Sequence, residues 1–421
     1  MEHFEALYPD SSRFEEIEKI LGFVKEGNSD QLVSLPGVGR SNLLGLLSYN
    51  TKVRIKHLGD NQKWFHFVYL NFSEVRNKAL LDTVKYIFVE LLDSLRKRKK
   101  EEEYEEVSKI LKESLEFNDE LILFNGLKKA IDYLAIEKEL TIVLLFDRFE
   151  TYTSQLSRDF FANLRVLRNR AKYRFSCIFS INRPFDESIE SETLADFYEF
   201  VFGHIVYLPL MDKPGLDFRI AYLEKAKGKK LDKKILAKLI SLTGGHGKLT
   251  RLSTETLIEN YEQVKGSIMD FLLQNKAVYG SLFEIWSSLT PSEQNSLKSG
   301  NLKDQYFSDI ALVKNGKIAI PLFEEFVNKV KKPIEISFEN LSDNLTSLEF
   351  HLLKFMTENP ERIIKREEIV NTVWTDLKSK EGVTDQALDQ LISRLRKKIE
   401  KDPNNPVHLQ TIKGRGFKFI P

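Results

Sequence analysis

The sequence predicts a multidomain chain of mixed class, α/β at the front and α+β behind. Three observations carry that reading. Apolar strand-like runs alternate with helical stretches through the first half. A glycine-rich turn follows the first of those runs. The C-terminal segment ends in a basic helix and a basic hairpin.

The front elements come in a telling order. Gln31 to Leu35 is a short strand candidate, and it runs into Ser34-Leu35-Pro36-Gly37-Val38-Gly39-Arg40-Ser41, with a helical stretch from Asn42 onward. Glycines in such a turn let backbone N–H groups converge, and the helix start favours an anion. Trp64–Phe72, Leu140–Asp147, Arg174–Asn182 and Phe202–Leu210 are further buried strands. Helices between them predict a mostly parallel sheet covered on both faces. Asp147 closes its strand as an acid. With the Ser41 hydroxyl it suits Mg²⁺. Glu150 lies three residues on. Asn182 and Arg183 end the next strand, where a phosphate sensor would sit. Against the phosphate-loop pattern GxxxxGK[ST], Ser34 replaces the first glycine and Arg40 replaces the lysine.

This region, residues 1 to about 265, resembles the AAA+ and STAND ATPases of the P-loop NTPase class, including archaeal-type ATPases and origin-recognition relatives. The resemblance implies a P-loop NTPase core over 1–212 and a helical lid over 213–265. It also implies ATP or ADP with Mg²⁺, held by Pro36, Gly37, Val38, Gly39, Arg40, Ser41 and Asn42. Within the lid, Thr243-Gly244-Gly245-His246-Gly247 resembles the family's GGxP motif, which touches the nucleotide from the lid side, with Gly247 where proline is usual; His246 is either a nucleotide contact there or a polar residue at a helix start. In the family a glutamate often follows the metal-side aspartate. Here Arg148 does. The departures at Arg40 and Arg148 imply at most a weak ATPase.

Residues 266–336 read as helix, Ser/Pro turn, helix and a hairpin turning at Lys314-Asn315-Gly316, which resembles the winged helix that often follows such a lid. It carries no concentrated basic helix, so a structural or regulatory role is expected. A short linker begins at Lys331-Lys332-Pro333.

In the C-terminal segment, Leu388, Leu391, Ile392, Leu395 and Ile399 lie on one helix face, and Arg394, Arg396, Lys397 and Lys398 on the other. From 391 to 421 there are eight Lys/Arg against two Asp/Glu, whereas 341 to 390 has six against ten. Basic charge is thus concentrated where a groove-facing helix and hairpin would be. LTSLEFHLL, the helix ending in Val373-Trp374, SRLRKKIE and TIKGRGFKFI together resemble the OmpR/PhoB-type winged helix DNA-binding domain, over 340–421. The resemblance implies a recognition helix over Val383–Lys398, with Gln386, Gln390 and Arg394 lining its outer face and Arg394 at a base edge. Arg396 and Thr411 are then expected on phosphate. Trp374, Thr384, Lys397, Lys413 and Arg415 complete the expected contacts with double-stranded DNA.

Composition bounds the rest. The chain has 421 residues, 42% hydrophobic and 30% charged, with net charge +1. DNA attraction must therefore be local. One cysteine, Cys177, excludes an internal disulfide and fits a reducing compartment. No long apolar run and no signal peptide are evident, so a cytoplasmic protein without membrane contact is expected; a homo-oligomer is left open. The whole reads as a nucleotide-gated, sequence-specific transcription regulator of STAND type. The alternative is an active ATPase of replication, transposition or phage defence, anchored on DNA by its winged helix.

Overall fold

The computed structural model describes residues 3–117, 119–260, 264, 266–331, 345–374, 384–400, 402–403, 405–412 and 414–420. The chain divides into two compact units, Met1–Val327 and Asn328–Pro421.

The first unit is built on five parallel strands: β1 (Asp30–Val33), β2 (Phe65–Asn71), β3 (Thr141–Asp147), β4 (Phe175–Ile181) and β5 (Ile205–Tyr207). Their order across the sheet is β2-β3-β4-β1-β5. β1 and β4 are buried along their whole length, and β3 at every residue after Thr141. Strands covered on both faces need continuous apolar sequence, and these have it. Helix α1 (Phe14–Lys25), ahead of β1, and the crossover helices α2 (Arg40–Tyr49), α3 (Thr51–Leu58), α4 (Leu80–Lys97), α5 (Glu101–Leu115), α6 (Glu120–Asp132) and α7 (Arg158–Ala171) supply the covering layers. Much of the core is aromatic. Phe146 of β3 stacks on Phe179 of β4 with ring centroids 4.9 Å apart, and Phe149, Phe160, Phe161 and Phe185 pack around them. Offset and edge contacts of this kind stabilise beyond their buried area and fix the β3–β4 ends in register.

After β5 come helices Lys213–Lys227, Lys233–Thr243 and Gly247–Asn260, then Ile268–Gln274, Lys276–Ser287, Pro291–Ser299 and Gln305–Asp309. Pro291–Ser299 opens with a complete capping box, Thr290 with Glu293. A small hairpin follows, β6 (Val313–Lys314) with β7 (Lys317–Ile318). Its turn residues Asn315 and Gly316 both have positive φ, 52° and 71°. Asn-Gly adopts that left-handed pair at little cost, and its twist matches the flanking strands.

In the second unit, helix Ser347–Glu358 is capped by the Thr346/Glu349 box and packs with helices Arg366–Val373 and Asp385–Ile399. A three-stranded sheet completes it, β8 (Ile363–Ile364), β9 (Leu409–Ile412) and β10 (Gly416–Phe419), in the order β8-β10-β9. Leu388, Ile392, Leu395, Leu409, Phe417 and Phe419 form its core. No helix among the described residues is long and apolar enough to cross a membrane.

Candidate nucleotide site and nucleic-acid interface

The turn after β1 opens directly into α2. Gly37 has φ 79° and Gly39 φ 123°, backbone states that favour glycine. Gly39 caps α2 without a side-chain acceptor. Among the described residues, the backbone N–H groups of Gly39, Arg40, Ser41 and Asn42 find no acceptor within the protein. Four bare donors at a helix start make a cradle for an anion such as a phosphate.

An acid stands beside this cradle. Asp147 is buried at the end of β3. Its carboxylate accepts from Ser41 Oγ at 2.9 Å and from the Tyr69 phenol at 2.5 Å. Burial and the facing carboxylate push the Tyr69 phenol up, so it stays a donor. A hydroxyl and a carboxylate side by side are hard oxygen ligands that fit Mg²⁺. The cradle and this pair together fit a magnesium-bound phosphate.

Arg40 corrects the sequence reading. It was expected to face phosphate, but its guanidinium turns inward and is buried. Nε donates to Ser180 Oγ at 3.0 Å, and Nη1 donates to the carbonyls of Ser34 and Ile181, each at 2.7 Å. Nη2 donates to Glu150 at 3.0 Å and to Asn182 Oδ1 at 2.6 Å. A guanidinium has five N–H donors, and these bonds use all of them. The planar fork that cannot imitate a lysine on phosphate instead ties three strand ends together. Glu150 and Asn182, expected as base and sensor, are thereby held by Arg40. Arg148 is exposed, with a left-handed backbone at φ 55°.

Arg183 is a second correction. Its guanidinium is engaged by Glu187 and by groups in or beside the helices 291–299 and 305–309. It is ion-paired with Glu293, donates to the Ser288 carbonyl at 3.4 Å, and lies 3.9 Å over the Tyr306 ring. Tyr306 in turn donates to the Asn182 carbonyl at 2.7 Å. Burial raises the Glu293 carboxyl, but hydrogen bonds from Arg183 and Thr290 outweigh it and hold the group low.

His246 sits under the turn. Its Nδ1 accepts from the Leu249 N–H at 3.2 Å, so Nε2 carries the proton and donates to the Pro36 carbonyl at 2.8 Å. Burial pushes its pKa down to about 4. The Lys248 N–H donates to the Gly37 carbonyl at 2.9 Å. A Cβ on Gly247 would lie 3.0 Å from the Val38 carbonyl oxygen, and one on Gly244 2.1 Å from that of Ala319. Segment 243–248 is therefore wedged between the phosphate turn and the end of the hairpin, and side chains would force these surfaces apart. Arg13 adds a further tie, donating to the carbonyls of Val38, Pro209 and Leu210. Tyr69, Arg13, Glu293 and Tyr306 escaped the sequence reading. Each acts through a partner far along the chain, and no local pattern marks such a pairing.

In the second unit, Gln386, Gln390, Arg394 and Lys397 are all exposed on helix Asp385–Ile399. Thr384 caps that helix, its hydroxyl accepting from the Ala387 N–H. Arg396 differs from expectation: Nε donates to the Leu409 carbonyl and Nη2 to Thr411 Oγ1, both at 2.8 Å. It pins the helix to β9, and Thr411 is its partner. Trp374 is also corrected, from DNA contact to core, since it is 7% exposed and packs with Leu388 and Phe417. Arg415 is exposed at the hairpin turn beside Gly414, whose φ is 74°. Lys413 and Val383 lie outside the described residues.

Comparison with known proteins agrees with this second unit. Residues 342–419 match the family described as "Transcriptional regulatory protein, C terminal". A sensory transduction protein RegX3 of Mycolicibacterium smegmatis is 31% identical over 124 residues, 29% of this chain and 49% of that protein. The RegX3 of Mycobacterium bovis is 42% identical over 72 residues, 17% of this chain and 30% of that protein. The chain thus spans less than half the length of these relatives. Among solved structures, the Orc1 protein of Aeropyrum pernix in complex with DNA covers 98% of this chain and 90% of its own, at 12% identity and TM-score 0.39. A Walker-type ATPase of Pyrococcus abyssi covers 99% and 94%, at 13% identity and TM-score 0.40. The C-terminal segment carries a DNA-binding domain of the OmpR/PhoB type. The front unit has a five-stranded parallel α/β fold whose glycine turn opens the helix beside Asp147.

Proposed function

We propose that this protein is a nucleotide-gated, sequence-specific DNA-binding transcription regulator of STAND type. The observation that carries the reading is the presence, in one chain, of a bare phosphate cradle beside the Ser41–Asp147 pair and of an exposed basic reading helix. ATP or ADP is held by Gly37, Val38, Gly39, Ser41 and Asn42, with Ser41 and Asp147 on the Mg²⁺ side. Residues 1–212 serve as core, 213–265 as lid, 266–336 as a regulatory winged helix and 340–421 as the DNA reader. Bound nucleotide supplies charge that the cradle must neutralise, and so favours one arrangement of turn and lid over another. Slow turnover follows from the chain's own residues: Glu150 is engaged by Arg40, and Arg148 takes the place next to Asp147.

Gating requires nucleotide to bind the DNA-competent and DNA-incompetent states unequally. The test is DNA affinity at saturating ATP, at saturating ADP and without nucleotide, with the oligomeric state measured in each. A coupling of roughly 1–3 kcal/mol is expected, and DNA must shift nucleotide affinity by the same factor. Equal DNA affinity in all three states sinks the gate. DNA-stimulated turnover in the ordinary enzyme range of about 1–10³ s⁻¹ favours the DNA-anchored ATPase instead.

A further inference from the structure

The first unit holds a cleft of about 840 Å³ away from the phosphate turn, where β2, α4 and the corner between α2 and α3 meet. Small-molecule sites typically run from about 300 to 1,000 Å³. Its charges are unusual. Arg54 and Arg98 line it, and among the described residues neither has a carboxylate partner. Both donate to the Ser48 carbonyl, at 2.8 Å and 3.0 Å. They therefore face the C-terminal end of α2. Burial holds Arg54 down to about 10, while burial and the neighbouring Arg54 hold Arg98 down to about 9.

The plain alternative is that the pair simply caps α2. A helix C-terminus carries only about half a negative charge, against two whole positive ones. Arg54 Nε is also buried without an acceptor. Lys63 at the rim adds a further cation with no carboxylate partner among the described residues. The cleft does contain two acids, Glu90 and Asp93, but Asp93 is paired with Arg96 and Lys97. A positive surplus remains after these pairs. Beside it stand the rings of Tyr49 and Tyr69, 5.9 Å apart, which offer a face for a flat group.

We propose that this cleft is a second ligand site, taking a small organic anion in which a phosphate group meets Arg54 and Arg98 and a planar ring lies against Tyr49 and Tyr69. A mononucleotide has that chemistry. The cleft shares Tyr69 with Asp147, so its occupant touches a residue bonded to the metal-side acid. The inference does not depend on the gating scheme.

Titration calorimetry on the full chain without divalent cations tests it, using AMP, inorganic phosphate and adenosine as probes. AMP should bind more tightly than either fragment. Arg98→Gln and the surface change Lys63→Glu should each weaken AMP by roughly tenfold or more, the scale of one charge-assisted hydrogen bond. Lys63 is exposed, so its variant remains informative even if Arg98→Gln unfolds. AMP binding within about twofold of the parent in both Lys63→Glu and folded Arg98→Gln would place AMP outside this cleft and overturn the proposal. So would absence of binding by AMP and phosphate to the folded parent protein.

Discussion

Arg40 and His246 show how single side chains define the candidate site. Arg40→Lys restores the usual loop residue, yet a lysine ammonium has three donors and no planar fork. It cannot serve Ser34, Ser180, Ile181, Asn182 and Glu150 together. Unfolding in urea should show a loss of about 1–3 kcal/mol from buried groups left unpaired. Unchanged stability with tighter nucleotide binding would mean that Arg40 is a phosphate ligand after all. His246 yields a pH prediction. Its folded pKa, about 4, lies below the ordinary value of 6.5. A base depressed in this way is uncharged in the fold, so its contribution is present above pH 6.5 and is lost as pH falls toward 4. By linkage the full span is on the order of 3 kcal/mol. Stability measured across that window should fall steeply in the parent protein and more gently in His246→Gln. Parallel curves would mean that His246 is not held neutral beneath the turn.

Elements are joined by side chains that reach between them. The Arg183–Glu293 pair and the Tyr306–Asn182 bond link the end of β4 to the helices Pro291–Ser299 and Gln305–Asp309. A double-mutant cycle with Arg183→Ala and Glu293→Gln should return a coupling of about 1–3 kcal/mol, because the pair is hydrogen-bonded and partly buried. Additive losses would make it an incidental surface contact. In the reading helix, Arg394 and Arg396 should separate cleanly. Arg394 is exposed and has room to reach a base, so Arg394→Ala should cost about 1–3 kcal/mol on a specific site and leave stability unchanged. Arg396 is anchored to Leu409 and Thr411. Arg396→Ala should therefore lower the melting temperature first and DNA affinity second. The opposite ranking in paired melting and DNA-binding assays would restore Arg396 to the phosphate backbone.

At the scale of the whole molecule, charge is balanced: 63 Lys and Arg against 62 Asp and Glu. Such a chain has no general attraction to polyanions, so DNA binding must come from the local surplus after residue 391. Its salt dependence then counts a small set of phosphate contacts. Arg415→Ala should reduce the slope of log K against log salt by roughly one. An unchanged slope would place Arg415 away from phosphate.

Local pattern by itself determined the architecture. Continuous apolar runs set the buried parallel strands, a glycine turn opened α2, and apolar residues three and four apart set the inward face of helix Asp385–Ile399. These are short-range consequences of backbone preference and burial, legible wherever a segment carries its own period. The proximity of Ser41 to Asp147 also followed from strand ends meeting on one edge of the sheet. What only tertiary structure decided was the direction of the long side chains. Arg40, Arg183 and Arg396 sit at the positions the motifs name, yet each commits at least one donor to a protein acceptor more than ten residues away along the chain. Trp374 sits at a helix end and is drawn into the core by residues 14 or more positions further on. A guanidinium or an indole takes the partners that burial leaves unsatisfied, and those are chosen by packing between elements, which no spacing within a motif encodes.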